Sequence, residues 1–183
     1  MRVIAGRFGG RRLRAPETAA TRPVTDRVKE AVFSSLGPEV VASVVADLYA
    51  GAGSFGVEAL SRGASQATFV ESARPALAVL RANLEELGLE PPEAVVVATT
   101  VERWLDGAPA ISADLVFCDP PWPLGSSALE EVLSSVARLV CEGGAVIVSR
   151  RASDRVPRPT GLLIDTERRY GDTRIVRYRK EGS

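Results

Sequence analysis

The sequence predicts an α/β fold in which a mixed, mostly parallel seven-stranded sheet carries helices on both faces. From residue 44 to residue 151, apolar runs of strand length alternate with amphipathic helical stretches, the pattern of parallel strands joined by crossover helices. After Arg151 two strand-like runs flank a Tyr170-Gly171-Asp172 turn and predict an antiparallel pair. The length of 183 residues, 45% of them hydrophobic, suits one domain with an apolar core.

The elements can be placed in order along the chain. Residues 2–15 read as a small basic β-hairpin with glycines at its turn. A helix follows, capped by Thr25 and ended by Gly37, because its apolar residues recur with a helical period. We expect strands at 44–49, 67–71, 94–98, 113–118 and 144–150, and helices near 55–62, 74–87, 101–106 and 126–138. The interpretation is a basic extension, residues 1–37, ahead of a Rossmann-like domain, residues 38–183.

Composition excludes several classes of protein. No uncharged run is longer than residues 48–57, about half of the roughly 20 residues that a membrane-spanning helix needs. The basic start of the chain lacks the apolar core of a signal peptide. The sequence has no histidine, and Cys118 and Cys141 have no CxxC neighbour, so we expect free core thiols and no metal site. We therefore expect a cytoplasmic monomer that makes no contact with a membrane.

Charge is distributed unevenly although the net charge is zero. Residues 1–30 carry eight Lys/Arg against three Asp/Glu, residues 31–149 five against fifteen, and residues 150–183 ten against five. An acidic middle thus lies between two basic ends. This asymmetry indicates contact between one region and a polyanion, although basic ends that are merely solvated would give the same counts.

A glycine-rich motif, GAGSFG at residues 51–56, follows the first strand and opens a helix. Dinucleotide sites, S-adenosylmethionine sites and structural turns all produce this pattern. Asp47 lies four residues before Gly51, where it can face a ligand ammonium or a loop amide; a dinucleotide site is usually apolar there. Glu71, at the end of the second strand, is placed to accept ribose hydroxyls from either cofactor, or is simply solvated.

The most specific motif is Asp119-Pro120-Pro121-Trp122, directly after the fourth strand. Two prolines fix two backbone φ angles, so the Asp119 carboxylate and the Pro120 carbonyl can be held rigidly as acceptors. Two such acceptors can hold the N–H bonds of an exocyclic amine while its nitrogen pyramidalises toward an electrophilic methyl group. Trp122 would stack on the base. A Pro-Pro turn with a buried Trp is the structural alternative.

The motifs GAGSFG, VES and DPPW together resemble the class I methyltransferases that act on exocyclic amines. With RPVTDRVKE at residues 22–30 and the early segment 6–13, most of the chain resembles the RsmD family of small-subunit ribosomal RNA guanine-N2 methyltransferases. The resemblance implies S-adenosyl-L-methionine as the cofactor and a guanine of 16S ribosomal RNA as the target. It also implies a preference for an assembled or partly assembled small subunit.

The resemblance also implies roles for individual residues. Asp47, Gly51 and Gly53 would line the methionine side of the cofactor, Glu71 would bind its ribose, and Thr100 stands where the family usually has Asn or Asp near the adenine. The amine would be held by the DPPW residues Asp119, Pro120, Pro121 and Trp122. Thr25 would contact the cofactor, or only cap its helix. The expected nucleic-acid contacts are the arginines Arg7, Arg11, Arg12, Arg14, Arg22 and Arg27.

Three rival functions stay open from the sequence. A DNA adenine-N6 methyltransferase could use DPPW, although this chain has little room for a large target-recognition region. A noncatalytic RNA-binding module for ribosome assembly could keep the fold, although intact Asp119 and Trp122 argue against it. An NAD-dependent oxidoreductase is disfavoured by Asp47.

Overall fold

The computed structural model describes residues 1–16, 25–107 and 111–180. The helices are α1 (Asp26–Leu36), α2 (Ser54–Ser61), α3 (Arg74–Leu87), α4 (Val101–Asp106) and α5 (Ser126–Val136), with a 3-10 turn at Gly37–Val40. The strands are β1 (Val44–Leu48), β2 (Gln66–Glu71), β3 (Ala94–Ala98), β4 (Ala113–Cys118), β5 (Val140–Arg151), β6 (Leu162–Tyr170) and β7 (Thr173–Lys180).

The strands form one sheet in the order β3-β2-β1-β4-β5-β7-β6. Strands β1 to β5 pair in parallel, whereas β7 pairs antiparallel with both β5 and β6. The predicted mixed seven-stranded sheet is confirmed. Chain order reverses between β1 and β4, where Leu48 lies opposite Cys118. Ligands of open α/β sheets bind at such a reversal, outside the carboxyl ends of the strands.

Alternate strand residues feed two apolar layers, because successive side chains point to opposite faces of a sheet. One layer packs under α1, α2 and α3 and includes Val45, Phe117 and Ile147. The other packs under α4 and α5 and includes Val116 and Val148. Helices therefore cover both faces, as predicted.

Several element bounds differ slightly from the prediction. Strand β5 begins at Val140 rather than at 144, because a register shift after Ala113 lets Val140 pair with that residue. Strand β1 ends at Leu48, since Tyr49 takes a left-handed φ of 57°. The predicted ends of α1 are confirmed: Thr25 Oγ1 accepts from the Val28 N–H at 3.4 Å, and Gly37 has a φ of 53°.

The N-terminal arm, defined as residues 1–16, forms a short version of the predicted hairpin. An antiparallel bridge joins Arg2 to Arg12, and backbone hydrogen bonds link Val3 to Gly10 and Arg11, and Leu13 to Met1, around turns and bends at residues 5–10. Val3 and Leu13 of the arm are buried in the same apolar layer as α1 and α2. A side chain at Gly6 would run into the backbone of Ser61 on α2. The arm is thus packed onto the main core, and the division at residue 37 stays a prediction.

Two features are missing from residues 1–16, 25–107 and 111–180. None of the helices there combines the length and the apolar character needed to cross a membrane. Within those ranges, no group of three or more His, Cys, Asp or Glu side chains is placed to hold a metal ion.

Candidate active site

A cleft of about 530 Å³ opens at the carboxyl ends of β1, β2 and β4. Its lining brings together six of the predicted site residues, which come from four separate segments: Asp47, Gly51, Glu71, Thr100, Asp119 and Pro121. A second cavity, of about 370 Å³, lies between Ser43 and Asp114 near the opposite ends of β1 and β4, and none of the predicted residues line it. The cleft at the chain reversal is therefore the candidate active site.

Asp47 organises the glycine loop, residues 49–53, from inside the protein. Its side chain is 2% exposed, and its Oδ2 accepts from the Gly56 N–H at 2.8 Å. Gly56 is the third residue of α2, so Asp47 caps that helix from a neighbouring strand. Gly56 itself has no room for a Cβ, which would run into the ring of Phe69. One of the two predicted partners of Asp47, a backbone amide of the glycine-rich motif, is thus confirmed.

Glu71 ties the end of β2 to the glycine loop. Its Oε2 accepts from the Gly51 N–H at 2.8 Å, and its Oε1 accepts from the Ser72 and Ala73 N–H groups at 2.8 and 2.7 Å. These three bonds fix the carboxylate at the cleft wall. Each carboxylate oxygen has two lone pairs, so one acceptor site remains, on Oε2, for a ligand hydroxyl.

The cleft is acidic. Four carboxylates line it, those of Asp47, Glu71, Glu102 and Asp119, and no Lys or Arg is among the lining residues in the described part of the chain. Burial raises the pKa of Asp47 to about 8; the hydrogen bond from Gly56 opposes this rise, and the neighbouring carboxylates add to it. Asp47 therefore adds little charge at neutral pH, but the lining still holds three other carboxylates and, among the described residues, no Lys or Arg, which suits a cationic ligand and disfavours the pyrophosphate of a dinucleotide.

The DPPW loop, residues 119–122, follows β4, which lies on the other side of β1 from the strand that carries Glu71. Asp119 is half-buried, and Pro121 contributes to the lining while Pro120 is buried. Burial raises the pKa of the Asp119 carboxyl to about 6, against a hydrogen bond from Ser149 and the charge of Arg150. The Trp122 ring lies outside the lining, with the Arg151 guanidinium 4.2 Å from its centroid.

The two predicted threonines both cap helices. Thr100 Oγ1 accepts from the Arg103 N–H at 3.2 Å at the start of α4, and Thr100 also lines the cleft. Thr25 caps α1 and is not among the lining residues. Gly53 is the N-cap residue before α2, has a left-handed φ of 84° and is likewise absent from the lining.

The predicted nucleic-acid arginines lie in different surroundings. Arg7 pairs with Glu93 and stacks on Phe8, and Arg14 pairs with Glu86 at 3.4 Å. Three further arginines of the predicted set are exposed, Arg11 and Arg12 on the arm and Arg27 on α1. Arg22 lies outside the described residues. Exposed ion pairs contribute little to stability, so Arg7 and Arg14 can exchange their carboxylate partners for phosphate at small cost.

The prediction missed a buried ion pair behind the glycine loop. Lys29 Nζ lies 3.3 Å from Glu58 Oε2, and it donates to the Arg2 carbonyl at 2.6 Å and to Ser54 Oγ at 3.3 Å. Ser54 lines the cleft, so this pair joins the arm to the cleft wall. A sequence signal existed, since Lys29 falls on the apolar face of α1 with Phe33.

The prediction also missed the part of the arm that lines the cleft. Met1, Ala15 and Pro16 form part of the wall, although nothing in their local sequence indicates it. Asn83 on α3 explains their position. Its amide accepts from the Arg14 N–H at 2.9 Å and donates to the Arg14 and Ala52 carbonyls at 3.1 and 3.0 Å.

The strand order, the glycine loop and the acidic cleft define a class I methyltransferase fold. The chain belongs to the RsmD family: the family model described as "Conserved hypothetical protein 95" matches residues 1–179. It is 34% identical to YlbH of Bacillus subtilis (strain 168), with both chains covered completely. It is 38% identical to "Ribosomal RNA small subunit methyltransferase D" of Escherichia coli (strain K12), over 73% of this chain and 65% of that protein.

Solved structures show the same fold. The yhhF protein from Escherichia coli superposes with a TM-score of 0.84 at 31% identity, covering 100% of this chain and 99% of that one. HI0767 from Haemophilus influenzae gives a TM-score of 0.80 at 29% identity, covering 98% of each chain. The predicted Rossmann-like architecture is confirmed over nearly the whole chain.

Proposed function

We propose that this chain transfers a methyl group from S-adenosyl-L-methionine to the exocyclic N2 of a guanine in small-subunit ribosomal RNA, in an assembled or partly assembled subunit. One observation carries the proposal: Asp119 and Pro121 of the DPPW loop line the same cleft as Asp47, Gly51 and Glu71. The residues predicted for the cofactor and those predicted for the amine therefore line one cleft. The relative named as a small-subunit ribosomal RNA methyltransferase supports RNA as the substrate.

The cleft residues fit this cofactor. Its volume of about 530 Å³ lies in the usual range for small-ligand sites. The acidic lining complements a sulfonium and an ammonium group, and the Glu71 carboxylate, fixed by backbone N–H groups, keeps one acceptor site on Oε2 for a ribose hydroxyl. Gly51, Asp47 and Thr100 would complete the cofactor side. When bound, S-adenosyl-L-methionine supplies an electrophilic methyl group.

The DPPW loop would act on the target amine. The Asp119 carboxylate and the Pro120 carbonyl accept its two N–H bonds, which localises the nitrogen lone pair for attack. A pKa of about 6 leaves Asp119 ionised at neutral pH and able to take the amine proton. Trp122 would stack on the base with the ring face opposite Arg151. The guanine must leave its stack to enter the cleft, which costs least in a loop or bulge.

The arm and the start of α1 would hold the RNA. Arg11, Arg12 and Arg27 are exposed, and Arg7 and Arg14 have only exposed ion pairs. Arginine side chains bind phosphate in a bidentate manner, so the arm would position the RNA backbone while the cleft takes the base.

A methyl-transfer assay tests the proposal. Labelled cofactor is supplied with small subunits, naked ribosomal RNA and DNA in parallel, and the modified nucleoside is identified. We expect N2-methylguanosine in the ribosomal samples, its loss in Asp119→Asn, and its retention in the exposed control Asp106→Asn. N6-methyladenine in DNA would instead support a DNA adenine-N6 methyltransferase. RNA binding without any transfer would support the noncatalytic module.

A further inference from the structure

Three consecutive residues at the end of β5 contact the DPPW loop or the segment that follows it. Ser149, which is 5% exposed, directly follows Val148, the partner of Cys118 in the parallel β4–β5 pair, so it lies beside Asp119 and lowers the pKa of that carboxyl. Arg150 Nη2 donates to the Leu124 carbonyl at 2.7 Å, and the Arg151 guanidinium lies 4.2 Å from the centre of the Trp122 ring. Because alternate strand residues point to opposite faces, these contacts hold the loop from both sides of the sheet.

Burial of the Arg150 guanidinium costs desolvation free energy. The side chain is 4% exposed and pairs with Asp154 Oδ2 at 2.8 Å, yet its Nε and Nη1 find no hydrogen-bond partner among the described residues. A buried, incompletely satisfied ion pair gives little net stability compared with an apolar residue of similar size. What this side chain provides is a fixed positive charge beside Asp119 and an anchor for Leu124.

We propose that Ser149, Arg150 and Arg151 are positioning residues, which hold residues 119–124 so that the Asp119 carboxylate meets the target amine as an acceptor. The proposal rests on the proposed function in the choice of amine, but its structural part concerns only the loop. None of the three side chains is required to touch the cofactor or the base.

The electrostatics around Asp119 agree with this role. Burial raises the pKa of Asp119 to about 6, and the Ser149 hydrogen bond and the Arg150 charge keep it from rising further. The other titratable groups near Asp119 are Asp47 on β1 and Cys118 on β4, whose own pKa values are raised by burial. Loss of the Ser149 hydroxyl should therefore raise the Asp119 pKa.

A carbon-13 NMR titration of labelled aspartate, assigned with Asp119→Asn, measures this effect without any activity. Loss of one hydrogen bond to a carboxylate in Ser149→Ala should raise the Asp119 pKa by about one unit, and Ser149→Thr should restore it. Trp122 reports on the loop in a Trp104→Phe background. We expect acrylamide to quench its fluorescence more in Arg150→Met and Arg151→Ala.

Kinetics then separate positioning from folding. Arg150→Met should lower kcat about tenfold or more while the KM for the cofactor stays nearly constant, and Ser149→Ala should move the acidic limb of the pH profile upward. Arg177→Met is the matched control. Arg177 is also buried, but it pairs with Glu39 and Asp165 rather than with the DPPW loop. This control should lose stability without changing the Asp119 pKa or the Trp122 quenching.

Two results overturn the proposal. One is an Asp119 pKa that is unchanged in Ser149→Ala. The other is an Arg150→Met protein that, like Arg177→Met, loses only stability and keeps the wild-type Trp122 quenching and kcat. If the pKa and quenching shifts occur while the wild type methylates no ribosomal RNA, the loop-positioning proposal stands and the proposed function fails.

Discussion

The two sides of the cleft are held by different kinds of contact. On the cofactor side, Asp47 and Glu71 accept backbone N–H groups from Gly56, Gly51 and the residues just after β2. On the amine side, side chains of β5, about thirty residues later in the chain, contact Trp122 and Leu124 and lower the pKa of Asp119. Backbone contacts change little when a side chain is replaced, whereas side-chain supports can be removed one at a time. The two sides should therefore respond differently to substitution.

The largest expected effect is on the amine side. Asp119→Ala should lower methyl transfer by at least about a hundredfold, because it removes the acceptor and base for the amine. Cofactor affinity should stay nearly unchanged, since the cofactor side keeps its backbone contacts. Single-turnover transfer and calorimetry with S-adenosylhomocysteine measure the two quantities. Normal transfer in Asp119→Ala would show that the DPPW loop does not act on the amine.

The next largest effect is on the pH dependence of folding stability, through Asp47 on the cofactor side. Asp47 has a pKa raised from 3.8 to about 8, so the folded chain holds a proton that the unfolded chain releases between these values. Stability should therefore fall as pH rises from about 4 to about 8, by on the order of a few kcal/mol. Asp47→Asn should flatten this dependence. Urea unfolding at several pH values tests it, and an equal slope in both proteins would contradict the raised pKa.

A smaller effect is expected for the ribose-binding residue. Glu71→Ala should weaken S-adenosyl-L-methionine binding by about 1–3 kcal/mol, through lost hydrogen bonds to a charged acceptor. Glu71→Gln should fall between this variant and the wild type, because it keeps one acceptor oxygen. Calorimetry compares the three proteins. Tight binding of NAD, or an unchanged affinity of Glu71→Ala for S-adenosyl-L-methionine, would refute the assignment of Glu71 as the ribose-binding residue of an S-adenosyl-L-methionine site.

The smallest effect on the cleft is expected from the arm, which adjoins the cofactor side. The arm carries four exposed arginines, Arg7, Arg11, Arg12 and Arg14. Replacing all four by Ala should weaken RNA binding. It should also reduce the slope of log affinity against log salt concentration by up to about one unit per lost phosphate contact. Cofactor affinity should not change, because Asn83 holds the backbone of residue 14 rather than its side chain.

A truncation provides the contrast. Deleting residues 1–13 removes the buried Val3 and Leu13 and should lower the melting temperature, which the four-arginine variant should not. An arginine-free arm with an unchanged salt slope would move the RNA contacts to another surface.

Elements with a strong local period were predicted closely. The observed bounds of α3, α4, β3 and β4 equal the predicted ones, because amphipathic and β-branched patterns specify these segments locally. The predicted start of β5, residue 144, was wrong. The strand begins at Val140, because a register shift after Ala113 lets these two residues pair. The predicted hairpin of the arm forms between residues 1–3 and 10–13, and its turn also contacts α2 through the Arg7 N–H and the Ser61 carbonyl.

The sequence alone determined the sheet, the order of its motifs and six of the residues in the cleft. Those motifs follow strand ends, and parallel strands bring their carboxyl ends to one edge. Only the tertiary structure decided that Asp47 caps α2, that Lys29 pairs with Glu58, and that the end of β5 holds the DPPW loop. These contacts join residues far apart in the chain, and no local pattern encodes which buried charge meets which partner until the layers are packed together.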